Sequence, residues 1–190
     1  MSKKIYVFLA KGFEITEALA TVDVLRRAKL DTQTVSITSS LDVESSNGIT
    51  VKADTLFSDI DASSADMLLL PGGMPGTLNL EAFKPLTDLV ASFHKEGKFL
   101  AAICAAPSIF GHLGLLKGKE AICYPGFENE FEGAKLSSRS VVRDGNIITA
   151  KGMGVSCYFA LEIIKALLND ETADQVAESA IIGEIVRQHT

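Results

Sequence analysis

The chain has 190 residues, 47% of them hydrophobic and 22% charged, and its formal net charge is −6. This length and composition predict one domain, residues 1–190, with a substantial apolar core, and the acidic balance argues against a surface for nucleic acid or an anionic membrane. The richest apolar stretch, residues 99–110, is too short to span a bilayer, and no basic segment precedes an apolar one as in a secretory signal.

Strands and helices alternate along the chain. The predicted elements begin with a strand at residues 5–10, a helix at 14–29, a strand at 32–37, a small β-hairpin at 43–54 with Asn47 and Gly48 at its centre, and a buried strand at 66–71. They continue with a helix at 81–96, strands at 99–103 and 120–124 either side of a short helix at 107–113, strands at 138–143 and 147–150, a helix at 154–168, and one or two helices within 172–188. This order predicts a doubly wound α/β fold, with a mostly parallel sheet sandwiched by helices.

The junction at Cys104 is the most informative local pattern. Residues 99–103 are short, apolar and follow a Gly-Lys turn, which indicates a buried strand, and Pro107 suits the first turn of a helix. The neighbours are small, as a sharp strand-to-helix turn requires: Ala101, Ala102, Ala105 and Ala106. A nucleophile elbow has this shape, and a cysteine on it faces free N–H groups and the positive end of a helix dipole, which favour the thiolate. The alternative is an inert cysteine in the core.

The three cysteines, Cys104, Cys123 and Cys157, have neither a Cys-x-x-Cys spacing nor the Cys/His spacing of a metal site. An odd number cannot all pair within the chain. We therefore expect no metal site and a reducing, cytoplasmic location.

Three candidate site segments fall where predicted strands end. They carry Glu14 and Glu17, then Gly72 and Gly73, then Cys104. Taken separately, the glutamates could serve only the helix dipole and the glycines only an ordinary turn. Because parallel strands end at one edge of a sheet, we expect a thiol, a carboxylate and free N–H groups to lie together there.

Five segments together resemble the DJ-one/ThiJ/PfpI superfamily, in the bacterial-type part of its Parkinsonism-associated deglycase branch: residues 9–17, 22–28, 70–73, 101–107 and 152–156. The resemblance covers nearly the whole chain in order. It implies a flavodoxin-like sandwich, a homodimer and a reactive thiol at Cys104 on a strained turn. It also implies that Glu17 hydrogen-bonds the thiolate, and that the backbone N–H groups of Gly73 and Ala105 form an oxyanion hole.

The resemblance implies further site residues as well. The pocket would be lined by Glu14, Gly72, Tyr124 and Met153. A segment of the first helix would pack against a partner subunit through Asp23, Arg26 and Arg27, although a solvated charged face is the usual explanation of such a run.

Two departures from the family pattern bear on mechanism. Peptidase members have His directly after the nucleophile, where this chain has Ala105, and many animal members have His at the position of Tyr124. The chain's own histidines are predicted on surfaces, at helix ends or in the tail: His94, His112 and His189. A Cys-His peptidase is therefore disfavoured, and Glu17 is left as the group for proton transfer.

The predicted activity needs no cofactor, metal or glutathione. The Cys104 thiolate attacks the aldehyde carbon of methylglyoxal or glyoxal, and Glu17 moves a proton to give a thioester that water hydrolyses to a hydroxy acid. This is glyoxalase III chemistry, and on glycated proteins or nucleotides it is deglycase chemistry. The alternative is a redox sensor or holdase chaperone that uses the oxidation of Cys104. The sequence leaves both open, because both need the same pocket.

Overall fold

A seven-stranded sheet forms the centre of the computed structural model, which describes residues 2–183. In chain order the strands are β1 (Lys4–Leu9), β2 (Asp31–Ser36), β3 (Asp42–Glu44), β4 (Thr50–Lys52), β5 (Thr55–Leu56), β6 (Met67–Leu70), β7 (Phe99–Ile103), β8 (Glu120–Ala121), β9 (Lys135–Leu136), β10 (Val141–Asp144) and β11 (Ile147–Ala150). The central sheet has the order β10-β11-β7-β6-β1-β2-β5. Only β10 runs antiparallel to its neighbour.

The register of the central strands determines where a site can form. Leu69 of β6 pairs with Val7 of β1 on one side and with Ala101 of β7 on the other. The three strands are therefore aligned, and their carboxyl ends lie at one edge of the sheet. In doubly wound folds, ligand sites lie beyond this edge.

Within residues 2–183, six α-helices cover the two faces of the sheet: α1 (Ile15–Arg27), α2 (Gly76–Ala82), α3 (Lys84–Lys95), α4 (Pro107–His112), α5 (Ser156–Leu167) and α6 (Asp170–Ser179). Alternate residues of β1 divide between the faces, because successive side chains of a strand point in opposite directions. Val7 and the β1 residues on the same face of the strand pack with α1, α5 and α6. Phe8, on the opposite face, packs with α2, α3 and α4. Two apolar cores, one on each face, thus fix the strand ends.

The predicted doubly wound α/β sandwich is confirmed, including the hairpin, which is the antiparallel pair of β3 and β4. The predicted helix at 81–96 is instead two helices. The first starts earlier, at Gly76, and the chain leaves helical geometry at Phe83, with ψ of 86°. Pro85 then lies in the first turn of α3, where its missing N–H loses no hydrogen bond.

The predicted strand at 120–124 is shorter than expected. Only the two residues of β8 pair with another strand, β9. Backbone N–H groups that follow β8 donate to acceptors outside this pair of strands. Ile122 donates to the Thr149 hydroxyl at 3.0 Å, and Tyr124 donates to the Cys104 carbonyl at 2.8 Å. The two-residue strands β5 and β9 have no apolar run long enough to predict them.

The predicted helical region at 172–188 falls partly outside the described residues. Within them, α6 begins at Asp170 and ends at Ser179, and His189 lies beyond residue 183. Among residues 2–183, no helix combines the length and the apolar composition that crossing a membrane requires.

Candidate active site

Cys104 follows β7 directly and has a φ of 66°, in the left-handed region that residues other than glycine rarely adopt. Its N–H donates to the Ala150 carbonyl at 2.9 Å, and its carbonyl accepts from the Tyr124 N–H at 2.8 Å. Such a backbone costs about 1–3 kcal/mol and persists only where its surroundings fix it. The strand-to-helix turn at Cys104 is therefore a strained elbow held from both sides.

Glu17 lies beside this cysteine, in the first turn of α1, and only 1% of it is exposed. The Gly72 N–H donates to Glu17 Oε2 at 2.9 Å. A Cβ on Gly72 would lie 2.6 Å from the Cβ of Cys104 and 2.7 Å from Glu17 Oε2, closer than real contacts allow. A glycine at position 72 is thus what lets the thiol and the carboxyl share one small space.

Glu14 fixes the start of α1 against the turn at Gly72 and Gly73. Its Oε2 accepts the Glu17 N–H at 2.6 Å, and its own N–H donates to the Gly72 carbonyl at 2.8 Å. A Cβ on Gly73 would lie 2.3 Å from the Glu14 nitrogen, so the two loops touch backbone to backbone. Glu14 is therefore the N-terminal cap of α1, a role that the sequence had indicated only as an interaction with the helix dipole.

Two backbone donors complete the arrangement. The N–H groups of Ala105 and Gly73 face the Cys104 sulfur, and both lower the pKa of the thiol. Neither donates to any other backbone or side-chain acceptor among residues 2–183. The fold thus brings together all four residues expected to act on the reacting atoms: Cys104, Glu17, Gly73 and Ala105.

Burial raises the pKa of both the thiol and the carboxyl, and the carboxyl raises that of the thiol further. Burial, its largest cause, raises the pKa of Glu17 from 4.5 to about 7, against the hydrogen bonds from Cys104 and Gly72. Burial and then the charge of Glu17 raise the pKa of Cys104 from 9.0 to about 12. Two such groups titrate as a pair that holds one negative charge near neutral pH.

This electrostatic balance differs from the expectation of a thiolate at rest. While Glu17 carries the charge, Cys104 stays a thiol, because two adjacent buried charges repel each other. When the proton passes from sulfur to Glu17, that repulsion disappears and the two backbone donors stabilise the thiolate. Glu17 Oε1 has no hydrogen-bond partner within the described part of the chain, so it is free to take that proton.

An open apolar cavity of about 400 Å³ lies beside Tyr124, and its lining includes neither Cys104 nor the predicted pocket residues Glu14 and Gly72. Its lining includes Tyr124 and Met153, both predicted for the pocket and both more than half exposed, together with Pro125 and Lys151. Tyr124 is tied to Cys104 by the backbone hydrogen bond given above. Sequence reasoning missed Pro125 and Lys151, whose one available signal was their position next to predicted pocket residues.

Comparison with known proteins shows the family of this chain. A model of the DJ-1/PfpI family matches residues 3–166. The chain belongs to the DJ-1/PfpI family. It is 39% identical to Protein DJ-1 homolog B of Arabidopsis thaliana over 93% of this chain, and 32% identical to Protein dj-1beta of Drosophila melanogaster over 96% of this chain and 99% of the fly protein.

The solved structure of oxidized Toxoplasma gondii DJ-1 has a TM-score of 0.91 to this chain, with 33% sequence identity. The match covers 95% of this chain and 98% of the Toxoplasma chain. The chain spans less than half the length of the Arabidopsis homologs, 41% of homolog B and 47% of homolog A. It is a DJ-1-like protein, in a family that includes enzymes with cysteine-dependent activity.

The residues expected at a DJ-1-type dimer interface form salt bridges within the chain. Arg27 Nε lies 2.8 Å from Asp23 Oδ2, and Arg26 reaches Asp54 Oδ2 at 2.6 Å and the Thr32 carbonyl at 2.9 Å. All three predicted interface residues are exposed on α1. Their role in assembly stays a prediction.

The remaining candidate side chains of this DJ-1/PfpI chain lie apart from the elbow. His94 is on α3 and His112 ends α4, and among the described residues neither forms a hydrogen bond with Cys104 or Glu17. Cys123 is buried, which raises its pKa to about 12, and Cys157 is half-buried on α5. Within residues 2–183, no three His, Cys, Asp or Glu side chains are grouped to hold a metal ion.

Proposed function

We propose that this protein is a cofactor-independent cysteine enzyme that converts 2-oxoaldehydes to hydroxy acids. On glycated proteins or nucleotides, the same chemistry would release the free amine or thiol together with the hydroxy acid. Four residues would perform the chemistry: Cys104 as nucleophile, Glu17 as acid and base, and the N–H groups of Gly73 and Ala105 as the oxyanion hole. The cytoplasm is the location we infer, since an oxidisable free thiol needs a reducing compartment.

The first step forms the covalent adduct. The Cys104 proton passes to the Glu17 carboxylate, and the sulfur attacks the aldehyde carbon of methylglyoxal. The carbonyl oxygen becomes an oxyanion that accepts hydrogen bonds from Gly73 and Ala105. It then takes the proton from Glu17, which gives a hemithioacetal and restores the Glu17 carboxylate.

The second step is an isomerisation. The Glu17 carboxylate removes the proton from the former aldehyde carbon and delivers one to the neighbouring carbon, while the hydroxyl proton of the hemithioacetal passes to the ketone oxygen. The product is a lactoyl thioester. Water then cleaves the thioester, releasing lactate and the thiol. One methylglyoxal and one water give one lactate, and no external oxidant is needed, because one carbon is oxidised as its neighbour is reduced.

One observation carries the proposal: the Glu17 carboxyl is buried beside Cys104, with one oxygen held by Gly72 and the other unpartnered among the described residues. Burial brings the pKa of Glu17 to about 7. An acid–base group works best with a pKa near the working pH, where both protonation states are available.

The test is lactate formation from methylglyoxal by the purified, reduced protein, followed by NMR. We expect turnover by the wild type and none by Cys104→Ala, while Cys157→Ser serves as a matched cysteine control with wild-type turnover. A folded, reduced wild-type protein that forms no lactate would refute the enzymatic proposal.

Redox sensing, with holdase action under stress, is the second candidate function. It is supported by the partial exposure of Cys104, which lets an oxidant reach it, and by the oxidized state of the similar Toxoplasma gondii protein. Glu17 would then hydrogen-bond a sulfinate at Cys104. Peroxide oxidation of Cys104 without any aldehyde turnover would favour this function over the first.

A further inference from the structure

Away from the thiol, one histidine is held between two carboxylates. Nδ1 of His112 contacts Oε1 of Glu81, and Nε2 lies 2.7 Å from Oε2 of Glu130. We call these three residues the His112 cluster. A neutral imidazole has one N–H and one lone pair, so it can donate to only one carboxylate. The arrangement therefore fits the cationic ring, and the hydrogen bonds to Glu130 and Glu81 raise the pKa of His112.

The backbone beside His112 is built for this close approach. A Cβ on Gly111 would lie 2.0 Å from the Glu130 carbonyl oxygen. A glycine at 111 therefore allows α4 to lie against the short turn at Glu128–Glu130, and this brings Glu130 within reach of His112.

The His112 cluster joins three segments that also build the thiol site. The first, α4, starts at Pro107, immediately after the Cys104 elbow. The second, α2, carries Glu81 and follows the Gly73 donor, whose carbonyl accepts the Thr77 N–H of α2 at 2.8 Å.

The third segment is the loop after Tyr124. The Tyr124 N–H holds the Cys104 carbonyl, the Tyr124 carbonyl accepts from Phe127, and the Phe127 carbonyl accepts from Glu130. One end of each segment thus forms a wall of the thiol site, and its other end meets His112.

Few other ionisable groups lie on the elements packed around His112. Glu81 is the one ionisable residue of α2. The turn at Glu128–Glu130 has one ionisable residue besides Glu130, which is Glu128. Glu128 accepts the Gly126 N–H at 2.7 Å, and Lys84, at the start of neighbouring α3, pairs with Asp88 at 2.6 Å. The positive charge on His112 is therefore paired with the carboxylates of Glu81 and Glu130, and each carboxylate needs this charge as its partner.

We propose that the His112 imidazolium is a positioning residue for Cys104, holding the elbow helix, the Gly73 turn and the Tyr124 loop where they make the thiol reactive. The inference rests on Cys104 as the reactive group of the proposed function. When the ring loses its second proton, one carboxylate faces a lone pair and the two carboxylates repel each other. Because the folded pKa of His112 is raised, the cluster is complete below the ordinary pKa of 6.5 and is lost as pH rises through the folded pKa.

The test measures the alkylation rate of Cys104 by iodoacetamide, read from the mass of its peptide, between pH 6 and pH 9. Each variant rate is divided by the wild-type rate at the same pH, which cancels the titration of the thiol and Glu17. For His112→Gln we expect a ratio about three- to tenfold below one at pH 6, rising toward one at pH 9 as the wild type loses the same charge. His112→Lys keeps its charge, so its ratio should be near one at pH 6 and exceed one at pH 9.

Lys84→Gln is the matched control, because it removes another surface charge pair on the neighbouring helix, and its ratio should stay at one. A His112→Gln ratio of one or more at every pH would overturn the proposal. So would equal, pH-independent losses in the Gln and Lys variants, which is what a purely packing role produces. If His112→Gln fails to fold, the pH course of the Lys ratio decides. Alkylation needs no turnover, so a protein inactive on methylglyoxal can still confirm this inference.

Discussion

The Gly72 N–H holds one oxygen of Glu17 at 2.9 Å, and the second oxygen of that carboxyl has no partner among the described residues. A buried acceptor without a donor destabilises the folded state by about 1–3 kcal/mol. Protonation removes the negative charge of the carboxyl, and the protonated carboxyl can act as a hydrogen-bond donor. The site thus exchanges stability for a carboxyl that takes up a proton near neutral pH.

Replacing Glu17 should separate thiol reactivity from turnover. Glu17→Gln keeps an N–H donor and Glu17→Leu keeps none, so we expect Cys104 to have a lower pKa and faster alkylation in the Gln variant. Both variants should lose about 10²- to 10⁴-fold in methylglyoxal turnover, since neither can carry the proton. Alkylation rates against pH and lactate formation measure the two effects. Wild-type turnover by Glu17→Gln would show that another group moves the proton.

The same residue should make stability depend on pH. The folded pKa of Glu17 lies above its ordinary value of 4.5, so its stabilising contribution is complete below pH 4.5 and is lost as pH rises through about 7. The raised pKa corresponds to about 3 kcal/mol of the free energy of unfolding. Glu17→Gln does not titrate, so its stability lacks this dependence on pH. Urea unfolding should therefore show the variant gaining about 3 kcal/mol on the wild type between pH 4.5 and pH 8. A difference that is the same at both pH values would contradict the assigned pKa.

The three cysteines should differ in their response to peroxide. Cys104 is on the strained elbow and partly exposed, Cys123 is buried, and Cys157 starts a helix. We expect Cys104→Ala to abolish the +32 Da sulfinic product, seen by intact mass after mild peroxide, and Cys123→Ser and Cys157→Ser to retain it. Loss of the product in folded Cys157→Ser would move the reactive site to Cys157.

Assembly can be tested with two equivalent ion pairs. Family resemblance implies a homodimer through α1, so light scattering should give twice the chain mass of 20.3 kDa at micromolar concentration. Arg27 and Lys84 each form an exposed i,i+4 pair, with Asp23 on α1 and Asp88 on α3. Arg27→Ala should weaken the dimer, and Lys84→Ala, which loses the same kind of pair elsewhere, should not. A monomeric wild type would contradict the prediction.

The sequence was informative where one local pattern determines one structure. The apolar run before Cys104, its small neighbours and Pro107 specify a strand, a turn and a helix within nine residues. The split between α2 and α3 was less visible, because it depends on where Phe83 packs as well as on Pro85. Short strands such as β9 pair over distance and have no periodicity to detect.

The electrostatics of the site lay beyond the sequence for a different reason. Glu17 and Gly72 are 55 residues apart, and the raised pKa values follow from burial that only the folded chain creates. His112 was expected at a helix end, and it is there. Its two carboxylates are 31 and 18 residues away, so no local motif indicates them.

The backbone-to-backbone contact at Gly73 also limits how the substrate range of this protein can be redesigned. With 2.3 Å between a Cβ on Gly73 and the Glu14 nitrogen, that wall has no side chain to trim and no room to add one. Libraries for bulkier aldehydes should therefore vary Tyr124 and Met153, whose side chains are more than half exposed and line the open cavity, so that truncation to alanine enlarges that cavity.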